Sequence, residues 1–97
     1  MTRHDRLHIA AMLRLHPDLQ GCAIMAGDGV DFISVRRDVT RIEVEKPRRG
    51  FCNVQVWRKR AAVDTLIDAD ECLYLGGRTR AGDTIDAIVA CAKRHLW

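Results

Sequence analysis

Guanidinium groups donate two parallel hydrogen bonds to the oxygens of carboxylates and phosphates, and this sequence concentrates them. Residues 36–60 hold nine Lys/Arg (Arg36, Arg37, Arg41, Lys46, Arg48, Arg49, Arg58, Lys59 and Arg60) against three carboxylates (Asp38, Glu43 and Glu45), a net of +6. Residues 1–35 carry a net of −1 and residues 61–97 a net of −2, so the whole chain is only +3. A positive block in a near-neutral frame points to an acidic protein surface or to a polyanion. Trp57 or Phe51 beside those cations would add a stacking platform for an unpaired base, or an anchor for a protein partner. The plainer alternative is a solvated surface whose charges guard strand edges against aggregation.

The remaining candidates are weaker. His4 and His8 are four residues apart, which places two imidazoles on one face of a helix, but no Glu follows His4 as the H-E-x-x-H metalloprotease pattern requires. Surface histidines are the better account of them. Cys91 and His95 repeat that spacing. Their thiolate–imidazole pair is nucleophilic only if the sulfur is exposed and its pKa depressed; Cys91 falls off the centre of its apolar stripe, so partial exposure is conceivable. Asp68-Ala69-Asp70-Glu71 could offer carboxylates to magnesium, although acidic turns are common. Gly76 to Gly82, before the last helix, has the composition of an anion-binding loop. It lacks the phosphate-binding Lys-Ser/Thr pair, and Asp83 would repel phosphate, so a flexible connector is expected. The cysteines at 22, 52, 72 and 91 form no CxxC pair, which argues against a structural zinc site. They fit apolar stretches as reduced core thiols, in a cytoplasmic setting.

Elements must position these groups. Residues 2–16 read as a helix, with Thr2 and Asp5 close to a capping box and His16-Pro17 ending it. Cys22 to Ala26 and Val30 to Val35 read as strands joined by Gly27-Asp28-Gly29, a type I′ hairpin signal. Arg41 to Glu45 alternates strictly. Pro47-Arg48-Arg49-Gly50 is expected as a four-residue loop, returning as a strand over 51–58 with Cys52, Val54 and Val56 on the buried side. Residues 61–70 fit a helical turn better than a strand, and Leu73-Tyr74-Leu75 reads as a short fifth strand. Asp83, with Asp86 three residues on, is expected to cap a final helix ending near Leu96, buried through Ile85, Ile88, Val89, Ala92 and Leu96. Terminal Trp97 is expected to lie as a lid on the core edge.

With 97 residues, 47% of them hydrophobic and 30% charged, the composition is that of one small globular domain and not of a disordered chain. No apolar run reaches the roughly 18 residues of a membrane span, and no charged-then-apolar leader opens the chain. The expected architecture is α+β: a two-layer sandwich in which an antiparallel sheet of four to five strands is covered by an N-terminal and a C-terminal helix, over residues 1–97 as a single domain. The expected function is non-enzymatic. A small cytoplasmic binding protein would engage an acidic protein partner through the arginine-rich hairpin, with Arg36, Arg37, Lys46, Arg48, Arg49, Trp57, Arg58, Lys59 and Arg60 as the contact residues. One concrete form is a phage or other mobile-element accessory that inhibits a nucleic-acid-handling host complex. The rival is direct nucleic-acid binding by the same hairpin. No cofactor, metal or membrane contact is expected, and self-association is a third reading.

Overall fold

The computed structural model describes residues 1–27, 29–75 and 81–97, without the side chains of residues 46–48. Helix α1 spans Arg3–Leu15, followed by a 3-10 turn at Pro17–Leu19, and α2 spans Ala81–Leu96. Between them run β1 (Ala23–Met25), β2 (Ile33–Arg37), β3 (Thr40–Arg48), β4 (Phe51–Arg60) and β5 (Val63–Leu73). All neighbours are antiparallel and the sheet order is β1-β2-β3-β4-β5, a pure meander. Both helices lie on one face: α2 crosses β2, β3 and β5, while α1 packs beside it, over β1. The expected two-layer α+β sandwich is the observed one.

The helices form for the reasons their sequences give. Thr2 accepts the Asp5 amide and Asp5 reaches back to the Thr2 amide, completing the capping box and satisfying two donors that a helix start leaves free. The α2 stripe of Ile85, Ile88, Val89, Ala92 and Leu96 is buried. It meets Ile33, Val35, Ile42, Val44, Cys52, Val54 and Val56 from the sheet in one core. Alternation along the strands puts these side chains toward the helices and their neighbours toward the open face.

Several expectations need correction. The strand expected at Val30 to Val35 runs from Ile33 to Arg37. The expected loop at 47–50 shrinks to two residues, because β3 continues to Arg48, which pairs with Phe51. Arg49 and Gly50 then turn the chain at φ +56° and +82°, the left-handed pair that matches the twist of a tight hairpin. A bulge between Val44 and Pro47 absorbs the extra residue. Residues 61–70 are not helical: Ala61 (φ +53°) and Ala62 turn the chain and β5 begins at Val63. The fifth strand is therefore long and ends at Leu73, leaving Tyr74 and Leu75 outside it. Helix α2 begins at Ala81, so Asp83 stands within its first turn and does not cap it. Asp28 of the first hairpin turn, and residues 76–80 of the expected anion loop, lie outside the described residues.

Candidate functional site

The register decides where the cations go. In β3–β4, Arg48 pairs with Phe51 at one end and Thr40 with Arg58 at the other, and nine residues of strand separate those ends by about 25 Å. The tip, with Arg49 and Arg48, is thus remote from Arg58, Lys59 and Arg60. Strand β2 enters at the second end, Arg36 opposite Arg41 and Arg37 opposite Thr40. The structure brings Arg36, Arg37, Arg58, Lys59 and Arg60 together and separates them from the hairpin tip. The hairpin read from sequence as cationic at both ends thus carries two separate poles, and its residues do not form one contact patch. Lys46 and Arg48 are placed by their backbone only, in the bulged stretch and beside the turn.

Alternation also splits the converging group between the two faces of the sheet. Arg36 and Lys59 share the open face with Arg41, Val39, Asp38 and Asp64, around a cleft of about 410 Å³. Arg58 and Arg60 share the helix-side face with Thr65 and Ile67, around a smaller cleft of about 270 Å³. A bulge between Val56 and Trp57 in the β4–β5 register re-aims β5 here, which puts Thr65 and Ile67 on one side. Arg37 reaches the same side, where its Nη1 donates to the Leu96 carbonyl at 2.9 Å and its Cζ lies 4.5 Å from the Trp97 ring centre. That contact gives the α2 C-terminus a cation where its dipole favours one. Trp97 is half-exposed beneath it, so the expected lid is an arginine-stacked indole at the rim. Arg58 Nε donates to Thr40 Oγ1 at 3.4 Å.

Neutralisation is selective. Arg41 is held by Glu43 at 3.1 Å and Asp64 at 3.0 Å, and its guanidinium lies over the half-buried Trp57 ring, 5.4 Å from the centre. The indole Nε1 of Trp57 donates to Gln55. Trp57 is thus already stacked by the protein itself. Phe51, exposed, lies at the opposite pole, so the two aromatics do not form one platform. Among the described residues, no carboxylate lies within 4.0 Å of Arg36, Arg37, Arg58, Lys59 or Arg60. Exposed apolar side chains stand beside them: Val39, Val63, Leu66, Ile67 and Trp97.

The other candidates also resolve. His4 is exposed and His8 half-buried. All four cysteines are free thiols, and Cys52, Cys72 and Cys91 are buried. The Cys91 side chain is fully enclosed, a core thiol as expected, without the partial exposure that a nucleophile would need. Burial, then the charge of Asp70, pushes its thiol up to about 12, the wrong direction for a nucleophile. Cys72 is pushed above the usual thiol range by its hydrogen bond with Cys52 and by burial. The acidic segment 68–71 is strand, not turn, and its Asp70 carboxylate works internally. Asp70 Oδ2 accepts from His95 Nε2 at 2.8 Å and from Arg94 at 2.8 and 3.1 Å, with Cys91 Sγ 3.7 Å away. His95, followed by Arg94 and the Glu71 amide, holds the Asp70 carboxyl well below the usual range.

Comparison with protein-family models, with curated proteins and with solved structures gives no match. No helix among the described residues is long and apolar enough to cross a membrane.

Proposed function

We propose that this protein is a non-enzymatic binding module that docks an acidic protein partner on the basic pole formed by Arg36, Arg37, Arg58, Lys59 and Arg60. One observation carries the reading: two cationic segments more than twenty residues apart in sequence converge at one end of the sheet, and among the described residues none of their cations has a carboxylate within 4.0 Å. Crowding like charges costs stability in the free protein, and an acidic partner removes that cost. Arginine and tryptophan are also the residues that most often carry interface energy. Arg37 and Arg58 are pre-oriented by Leu96, Trp97 and Thr40, which lowers the entropy lost on docking.

The apolar side chains among the cations favour a protein over a nucleic-acid partner. Val63, Leu66, Ile67 and Trp97 would bury against a protein surface, whereas a phosphate backbone rewards charge alone.

The test compares the poles. A fluorescent polyglutamate peptide and a mixed-sequence single-stranded oligonucleotide are titrated with the native protein, with Arg58→Glu/Arg60→Glu and with Arg49→Glu, folding being checked by circular dichroism. The expected result is peptide binding at low salt that weakens at least tenfold on reversing Arg58 and Arg60 and is unchanged on reversing Arg49. Equal losses from both variants would refute the assignment to this pole. Oligonucleotide binding that falls steeply with log salt, without peptide binding, would transfer the site to nucleic acid.

A further inference from the structure

On the helix side of β5, three different donor atoms face one another. The Cys91 sulfur, an Asp70 carboxylate oxygen and a His95 ring nitrogen all lie within 4.8 Å of one another. We propose that Asp70, Cys91 and His95 form a binding site for a borderline-soft divalent metal ion, zinc in the first place, between β5 and the last turns of α2.

Geometry supports it first. Metal bonds of about 2.0–2.3 Å in a tetrahedron put neighbouring donor atoms about 3.3–3.7 Å apart. Cys91 Sγ and Asp70 Oδ2 are already 3.7 Å apart. His95 Nε2 and Asp70 Oδ2 are 2.8 Å apart, the length of a hydrogen bond, and must open by roughly half an ångström as the ion replaces the shared proton. Cys91 and His95, one helical turn apart on α2, form a two-point clip whose spacing the helix fixes, and β5 brings the third donor. Sulfur, nitrogen and oxygen together suit zinc or cobalt and exclude calcium or magnesium, which demand oxygen.

The surroundings supply an independent argument. A metal-bound imidazole gives its other N–H to a carboxylate, a backbone carbonyl or water, and Asp68 Oδ2, 3.7 Å from His95 Nδ1, is the carboxylate placed to close in and take it. The second oxygen of Asp70 accepts the Glu71 amide at 2.8 Å, leaving Oδ2 to face the cluster. The buried sulfur closes the site on the core side, while Asp70 and His95, each partly exposed, leave an entry from solvent. Arg94 is the competitor: it donates to the same Oδ2 and, half-exposed, must swing away. As the sulfur–metal bond forms, the S–H bond breaks and its proton passes to solvent. The proton between His95 Nε2 and Asp70 Oδ2 leaves to solvent as well, and Nδ1 carries the ring's remaining N–H toward Asp68. Solvent completes the coordination.

Cobalt(II) titration of the chelator-treated, reduced protein tests the site. The expected result is one equivalent bound, with the intense visible bands of tetrahedral cobalt and a thiolate charge-transfer band in the near ultraviolet, both erased by zinc. Cys91→Ala should abolish the charge-transfer band and Cys22→Ala should leave it. Should Cys91→Ala fail to fold, His95→Gln, which leaves the core thiol in place, should weaken binding at least tenfold. Asp68→Asn should weaken it about tenfold, and Arg94→Gln should tighten it. That last sign is one a purely structural ion-pair cluster does not produce. Absence of the band at one equivalent, its persistence in Cys91→Ala, or weaker binding by Arg94→Gln would overturn the proposal.

Discussion

Replacing Asp70 by Asn tests how α2 is fastened to the sheet edge. The carboxylate gathers His95, Arg94 and the Glu71 amide, and the substitution keeps its size while removing its charge. The two side-chain partners differ in environment. His95 is 14% exposed and Arg94 52%, and an ion pair with a half-exposed arm contributes little, about 0–1 kcal/mol. A hydrogen bond to a charged group in the shielded position contributes about 1.5–3 kcal/mol. The His95 arm therefore dominates, and Asp70→Asn should cost about 2 kcal/mol. That lowers the urea midpoint by about 1–2 M and Tm by about 8–16 °C. The pH dependence has a defined sign. A carboxyl whose folded pKa is depressed stabilises the fold above its unfolded value of about 4, and this stabilisation is lost as pH falls toward the folded value. Urea unfolding followed by circular dichroism, with chelator present, should show the full difference between native protein and variant at pH 7 and pH 5. The difference should shrink at pH 3. A double-mutant cycle should give stronger coupling with His95→Gln than with Arg94→Gln. A full difference persisting at pH 3, or stronger coupling to Arg94, would refute the assignment.

Other outcomes follow from the same coordinates. Ile88→Ala empties a fully enclosed position under α2 and should cost about 2–5 kcal/mol, read from the urea midpoint. Ala61→Gly should stabilise by up to about 1 kcal/mol, because Ala61 sits at φ +53°, where a Cβ is disfavoured and glycine is not. Gly50→Ala at φ +82° should destabilise by about 1 kcal/mol for the same reason in reverse. Asp18→Asn removes the Lys93 pair at 2.7 Å, with both side chains about half in solvent, and thermal melts should not separate it from the native protein. Raising salt should stabilise the native protein more than Arg58→Glu/Arg60→Glu, since screening relieves repulsion at the basic pole.

The helices were legible because their signals are local: the Thr2–Asp5 box and the stripe from Ile85 to Leu96 act within a few turns. The alternation of Ile42-Val44 and Cys52-Val54-Val56 named the buried face of the central hairpin for the same reason. Strand β5 was illegible. It is an edge strand with Cys72 as its one buried residue, so no period of two marks it, and its bulge breaks the alternation that remains. The turn before it uses alanine at a left-handed position, where turn chemistry leads one to expect glycine or asparagine. Losing β5 also hid the Asp70 cluster. Cys91 with His95 and the acidic run 68–71 each stood out, but nothing local joins residues more than twenty apart. The charge block was visible as a count and not as a shape, because antiparallel pairing decides which arginines meet.

That pairing also explains why one pole stays positive. Among the described residues, Asp38 shares its cleft without pairing with a cation, and the other acids nearby are engaged: Asp64 and Glu43 hold Arg41, and Asp70 holds Arg94 and His95. Farther off, Asp18 holds Lys93. Those carboxylates tie strand to strand and helix to sheet, and among the described residues none lies within 4.0 Å of Arg36, Arg58, Lys59 or Arg60. The positive end is thus a product of where the fold spends its negative charge. A surface left positive only to stay soluble could spread its cations anywhere. Here Arg37 is stacked on Trp97 and Arg58 is tied to Thr40, and solubility does not require fixed guanidinium geometry. Recognition of a carboxylate, as proposed for this pole, does.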